Sequence, residues 1–375
     1  MKKTISLLLA VLMLAAVLTA CGNKTTTSAP ASTPAAAAPE AETADPAKLN
    51  LSGRHWVIGG QPRNTSLYLY YAEELGLFEE AGLDVEIVSL ANGPALNESL
   101  NAGELDAAAN GMAAVYILPT GNYYYVGDAN MNYGGQAMYA RTDSEIVKAG
   151  KYKDTNLYGS PETAKGATIL GLSAAPQQYI AYAWAEALGL NDDDITYVAM
   201  DHAQAYQAFM AGEGDCVGST QPYSNEMDVD PNYTLIADFK DLAGGPLLDS
   251  IVFNKELADQ YPDDVVAILN CMYTSMNELQ NNPDKRAAFA KNLYETLGGT
   301  TTTDENIQSE IANVNFWTWD KLANPDFPFG NSMTVMGDFF IKMGLIEEGS
   351  ETAIQESLNH SFVERLLEYR AANGL

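Results

Sequence analysis

Apolar residues are distributed along this chain in three ways. Residues 5–18 form one apolar run, interrupted only by Ser6. Residues 24–47 contain no large apolar side chain and are rich in Thr, Ala and Pro. From Trp56 onward, short apolar runs alternate with stretches of helical spacing, the texture of an α/β fold. A strand is predicted over 56–59. The loop 59–65 ends on Asn64 and Thr65, either of which suits a helix cap, and a helix over 66–75 follows, stopped by Gly76. Further strands are predicted over 83–88, 123–128, 136–141, 166–170, 195–198, 233–237 and 250–254. Helices are expected over 177–188, opened by Pro176 and ended by Gly189, and over 202–210. Beyond Lys255 the pattern is mostly helical.

Two windows repeat one design. In each, a strand is followed by a helix that closes on Ala-Gly-Glu-x-Asp, at 102–106 and again at 211–215. Gly103 and Gly212 stand where a left-handed helix cap is wanted. Asp106 and Asp215 then lead into runs of small or apolar residues, expected to be buried parallel strands. Strand–helix–strand twice over predicts two α/β lobes with largely parallel sheets and right-handed crossovers. In such sheets, ligands sit beyond the carboxyl ends of the strands.

The first segment is an address. Lys2 and Lys3 precede the apolar run, which is too short for a comfortable membrane span. Leu18-Thr19-Ala20-Cys21-Gly22 resembles a bacterial lipobox, so residues 1–20 are expected to be a signal peptide and Cys21 a lipidated, palmitate-bearing N-terminus. Residues 21–50 read as that anchor and a disordered tether, because they cannot bury enough surface to offset ordering entropy. The net charge of −29 excludes a nucleic-acid partner, since a phosphate backbone needs a basic footprint. Three cysteines make no disulfide framework. Cys216 is expected to be small and buried, and Cys271 to lie in an apolar helix. No His or Cys spacing suits a metal, and no motif calls for a cofactor. Asp192-Asp193-Asp194 reads as a solvated loop.

The segment from Leu67 to Val85, with Tyr71-Ala72-Glu73-Glu74-Leu75-Gly76-Leu77-Phe78, resembles the opening helix of solute-binding proteins for nitrate, sulfonate, taurine and thiamine-precursor ABC importers. Leu100-Asn101-Ala102-Gly103-x-x-Asp106, Ala208-Phe209-Met210-Ala211-Gly212-x-x-Asp215, Gln221-Pro222-Tyr223 and the stretch from Met336 to Ile346 match as well. The resemblance implies a two-lobe type II periplasmic-binding fold, with a solute held in a hinged cleft and delivered to a permease and ATPase. The protein is expected to act as a monomer on the extracytoplasmic face of the membrane, with a Gram-positive leaning. Lobe 1 is expected over 51–141 plus 242–375, and lobe 2 over 142–241.

Position on this architecture nominates the ligand-binding residues. They are Gln61, Arg63 and Asn64 in the loop after the first strand, then Asn92 and Gly93, then Asn110 and Gly111. From the second lobe come Ser173, Ala174 and Gln177 at a helix start, then His202, then Gln221 and Tyr223. Six arginines occur in the chain and none lies in 142–242, so a multiply charged anion lacks its clamps. Tyr68, Tyr116, Tyr123 to Tyr125, Tyr133, Tyr179 and Tyr223 offer aromatic faces or ordinary core packing. A small organic solute, thiamine-pyrimidine-like, aromatic or cationic, is the expected ligand. A sulfonate receptor or a surface solute sensor are the alternatives. A thiamine-pyrimidine synthase of this fold carries a cysteine-rich motif that this chain lacks, so no enzymatic activity is expected.

Overall fold

The computed structural model describes residues 45–375 apart from 245–246, 300 and 325–328. The expected signal peptide, Cys21 and most of the tether lie outside the described residues. Among the described residues no helix is long and apolar enough to cross a membrane.

Two mixed sheets organise the chain. The first contains β1 (His55–Gly60), β2 (Asp84–Ser89), β3 (Ala107–Asn110), β4 (Tyr123–Asn132), β10 (Leu247–Asn254) and β11 (Val314–Asn315), in the order β11-β4-β10-β3-β1-β2. The second contains β5 (Ala137–Arg141), β6 (Thr168–Gly171), β7 (Thr196–Ala199), β8 (Cys216–Ser219) and β9 (Tyr233–Asp238), in the order β7-β6-β8-β5-β9. In each sheet three strands are parallel, as expected: β2-β1-β3 and β7-β6-β8. The expectation of largely parallel sheets fails for the rest. The strands that carry the chain between sheets, β4 with β10 and β5 with β9, pair antiparallel with their neighbours because they run out and back. β5 also moves the lobe boundary. Residues 137–141 were expected in lobe 1, but they pair with β8 and β9 in the second sheet, so the chain crosses at 133–136.

The short, small-residue strands follow from burial on both faces. Trp56, Ile58, Ala107 and Ala109 face one apolar layer, while Val57 and Ala108 face another. In the second sheet Ile169 and Cys216 face one layer and Leu170 and Val217 the other. Helix Pro262–Asn281 covers the first layer and helix Pro176–Ala187 the second sheet. Tyr179 packs on Phe239 at 5.2 Å and on Phe339 at 4.8 Å, so apolar contact runs from one half into the other.

The repeat is visible in atomic detail. Gly103 and Gly212 have φ of +72° and +99°. Asp106 Oδ2 then accepts the Val57 N–H at 2.9 Å, and Asp215 Oδ2 accepts the Thr168 N–H at 2.8 Å. Each aspartate thus pins the strand that pairs with the one it leads into, β1 beside β3 and β6 beside β8. Cys216 and Cys271 are both buried free thiols. Half of the eight tyrosines nominated above, Tyr68, Tyr123, Tyr125 and Tyr179, are core residues, and Tyr133 is exposed.

Candidate functional site

The loop after β1 is fixed by Ser66. Its hydroxyl accepts the Gln61 N–H at 2.9 Å and donates to the Ala109 carbonyl at 2.7 Å, tying the loop to the end of β3. The expected cap is absent. A short 3-10 turn, Asn64–Ser66, precedes helix Leu67–Glu74, and this leaves the Arg63 and Asn64 side chains free to face the second half. Asn64 Nδ2 approaches Gln221 Oε1 across the cleft at 3.4 Å and Asn132 Oδ1 on its own side at 3.5 Å.

These residues meet at a pocket of about 480 Å³ including its mouth. Pro62, Arg63, Asn64, Tyr294, Thr302, Asn306 and Glu310 line it from the first half, and Thr220, Gln221, Pro222 and Asn225 from the second. Among the described residues the Arg63 guanidinium has no hydrogen-bond or ion-pair partner. Its charge is felt by Glu310, Tyr294 and His202. Glu310 is buried and accepts the Tyr294 hydroxyl at 2.6 Å; burial raises its carboxyl above the usual range, against that hydrogen bond and the arginines. The His202 imidazole is pushed down to about 4, chiefly by burial and then by the Arg63 charge.

The second half presents a polar chain at its strand ends. Gln177 Nε2 donates to Gln136 Oε1 at 2.8 Å and to the Ser219 carbonyl at 3.2 Å, and Gln136 Nε2 donates to Thr220 Oγ1 at 2.9 Å. Five buried polar atoms here lack a hydrogen-bond partner: Gln177 Oε1, His202 Nδ1, Ser219 Oγ, Gln221 Nε2 and Ser224 Oγ. All lie at or beyond the carboxyl ends of β6, β7 and β8. Ala174, in the loop after β6, takes a φ of +54°, unusual for a residue with a side chain.

Other nominated residues serve the fold locally. Asn92 caps helix Gly93–Asn101 by accepting the Ala95 N–H at 3.0 Å. Gly93 starts that helix, where a Cβ would meet Asn110 Oδ1 at 2.7 Å. Asn110 is 0% exposed; its Nδ2 donates to Asn97 and its Oδ1 accepts the Gly111 N–H. Ser173 lies in the loop before helix Pro176–Ala187, and the Ala174 N–H donates to Gln178 Oε1 at 2.9 Å. Tyr223 stacks on Tyr206 at 4.9 Å beside the pocket. Sequence reasoning missed Asn225, Tyr294, Thr302, Asn306 and Glu310. The only signal for Asn225 was its nearness to Gln221-Pro222-Tyr223. The other four sit in the helical tail, where nothing marked a pocket-facing side chain.

A family model for the NMT1-like family matches residues 60–294. A curated relative from Brachyspira hyodysenteriae, named as an ABC transporter periplasmic binding protein, is 27% identical over 83% of this chain and 89% of its own. Among solved structures, the alkanesulfonate-binding protein SsuA from Xanthomonas axonopodis pv. citri, bound to MOPS, superposes with a TM-score of 0.64 at 18% identity, over 82% of this chain and 98% of that one. The nitrate-binding protein NrtA from Synechocystis gives 0.62 at 14% identity, over 85% and 88%. These likenesses agree with the two sheets and the cleft: the fold is the two-lobe periplasmic-binding fold. With the family model covering more than half of its length, the chain belongs to the NMT1-like family.

Proposed function

We propose that this chain is an extracytoplasmic solute-binding protein of an ABC importer. It captures a small organic solute between its two halves and presents it to a membrane permease with its ATPase. One observation carries the reading: buried donors and acceptors without partners cluster at the ends of β6, β7 and β8, and one of them, Gln221, lines the pocket that also holds the unpaired Arg63. Buried polar groups are nearly always satisfied, so a set of open ones at strand ends fits a ligand that completes them. The lining consists mainly of amides and hydroxyls around one guanidinium, groups that hold a solute rather than break its bonds. The lipobox at Cys21 supports a lipid anchor on the outer face of the cell membrane, with the chain acting as a monomer.

A sulfonate-type anion is a second reading of the same cleft. It is favoured by Arg63 and by the likeness to sulfonate-binding and nitrate-binding structures. A thermal-shift screen separates the two. The panel is thiamine precursors, nucleobases, taurine, alkyl sulfonates, aromatic acids, quaternary amines and nitrate. A solute at 100 times its Kd adds about 2.7 kcal/mol to stability. A hit lost in Arg63→Ala or Gln221→Ala supports the cleft. Turnover of the hit, or silence across the panel from a folded protein, overturns the importer reading.

A further inference from the structure

We infer that the solute is a short zwitterion, with Arg63 holding its acid group and Glu310 its cationic nitrogen. The inference rests on the solute-binding reading and names the class of solute. Both side chains line the pocket described above, from the same half. Glu310 belongs to helix Asp304–Asn313 and lies three residues after the buried Ile307, so the helix face that buries Ile307 carries Glu310 inward with it. Glu310 is 5% exposed, and its Oε1 accepts the Tyr294 hydroxyl at 2.6 Å. Among the described residues its Oε2 has no hydrogen-bond or ion-pair partner. The Arg63 guanidinium likewise has none. Glu310 feels the Arg63 charge, yet the two form no ion pair.

Each charge has its own support. Tyr294 fixes the Glu310 carboxyl, and Ser66 ties the loop that carries Arg63 to the first sheet. The buried Arg286 is turned to other partners. Its Nη1 donates to the Val314 carbonyl at 2.8 Å, and its guanidinium lies 4.4 Å from the Phe316 ring centroid. The rest of the pocket lining is uncharged. One wall therefore presents one positive and one negative group to one small space, and a buried charge without a partner is costly. A lone anion would meet Arg63 but crowd Glu310, and a lone cation would do the reverse; like charges brought together are penalised. A solute that bears both charges satisfies both groups. Gln221 Nε2, buried and without a partner on the opposite wall, adds a donor for the acid group. The enclosed space is small, so the two charges of the solute are only a few bonds apart. Burial raises the Glu310 carboxyl above its usual range, and an incoming ammonium offsets that penalty.

The test is titration calorimetry on the full-length chain at pH 8 with matched probes. β-Alanine is set against propionate and ethylamine, and 2-aminoethanesulfonate against ethanesulfonate and ethylamine. At least one zwitterion should bind about ten-fold tighter or more than either of its halves, the scale of a charge-assisted hydrogen bond. Glu310→Gln leaves an oxygen to accept from Tyr294 and is checked for folding by its melting curve. It should erase the advantage of the zwitterion over the anion, while the anion binds no worse. Glu310→Asp keeps the charge but draws it back from the pocket, and should narrow that advantage. Arg63→Gln should erase the advantage over ethylamine. A zwitterion no tighter than one of its halves in both sets, or an advantage over the anion that survives Glu310→Gln, overturns the inference, while binding of the anions preserves the solute-binding reading. Binding of none of the probes overturns the inference. The panel above then decides the wider reading separately.

Discussion

Asn225 of the second half donates to the carbonyl of Asn306 in the first half at 3.2 Å. Ser309 completes the contact by donating to Asn225 Oδ1, also at 3.2 Å. The two halves therefore meet beside the pocket through one side chain that gives and takes. On the other flank Lys342 and Glu186 pair at 2.6 Å, but both are exposed and such pairs contribute little. Asn225→Ala should release about 1–2 kcal/mol of closure, near ten-fold in the closed-to-open ratio. Small-angle scattering of the unliganded variant should show a larger radius of gyration. An unchanged profile would mean that the contact does not hold the halves together.

Asp106 and Asp215 are equivalent by repeat but not by environment. Asp106 also pairs with Arg54 at 2.6 Å in a half-buried setting, while Asp215 is exposed. Asp106→Ala should cost about 1.5–3 kcal/mol and Asp215→Ala about 0.5–1 kcal/mol. Urea midpoints at constant slope would show the order; equal losses would contradict it.

The role proposed for Arg63 is in binding rather than in folding. Arg63→Ala should weaken any anionic solute at least ten-fold with little change in melting temperature, and raised salt should lower the wild-type affinity toward that of the variant. A large drop in melting temperature would instead assign Arg63 to the fold.

Two buried groups give opposite pH slopes. His202 titrates near 4 in the folded chain and near 6.5 when unfolded, so it lowers stability as pH falls from about 6.5 toward 4. The Asp249 carboxyl, raised from 3.8 to about 7, lowers stability as pH rises from about 4 toward 7. Denaturation across pH 4–8 should find His202→Gln flatter on the acid side and Asp249→Asn more stable than wild type at pH 8. Parallel profiles for all three proteins would remove both assignments.

The sequence showed the parts governed by local rules. Ala-Gly-Glu-x-Asp marked two helix ends because a left-handed glycine cap is a short-range device; that each aspartate pins a strand almost fifty residues earlier showed only in the structure. Helix His202–Met210 falls where its spacing and the Asp201 cap put it. The loop at Arg63 and Asn64 and the turn at Gln221 were nominated because ligands lie beyond strand ends, and these residues line the pocket. What stayed hidden depends on long-range pairing. Residues 137–141 read equally well in either sheet, since a strand buried on both faces carries no label for its neighbours. Tyr294, Asn306 and Glu310 reach the pocket only through the packing of the helical tail, and the helical pattern of that tail does not say which turn faces a cleft.

The second sheet is built wholly from residues 137–238, and the strands on either side of that stretch are neighbours. Leu247 on β10 stands opposite Asn132 on β4. The second half is thus a cassette spliced between two neighbouring interior strands of one sheet, with entry and exit held side by side. A stretch placed in this way can change without disturbing the register of the host sheet. A chimera joined at Asn132 and Leu247 would transfer the β6, β7 and β8 strand-end chemistry as one heritable block, while Arg63 and Glu310 stay with the host.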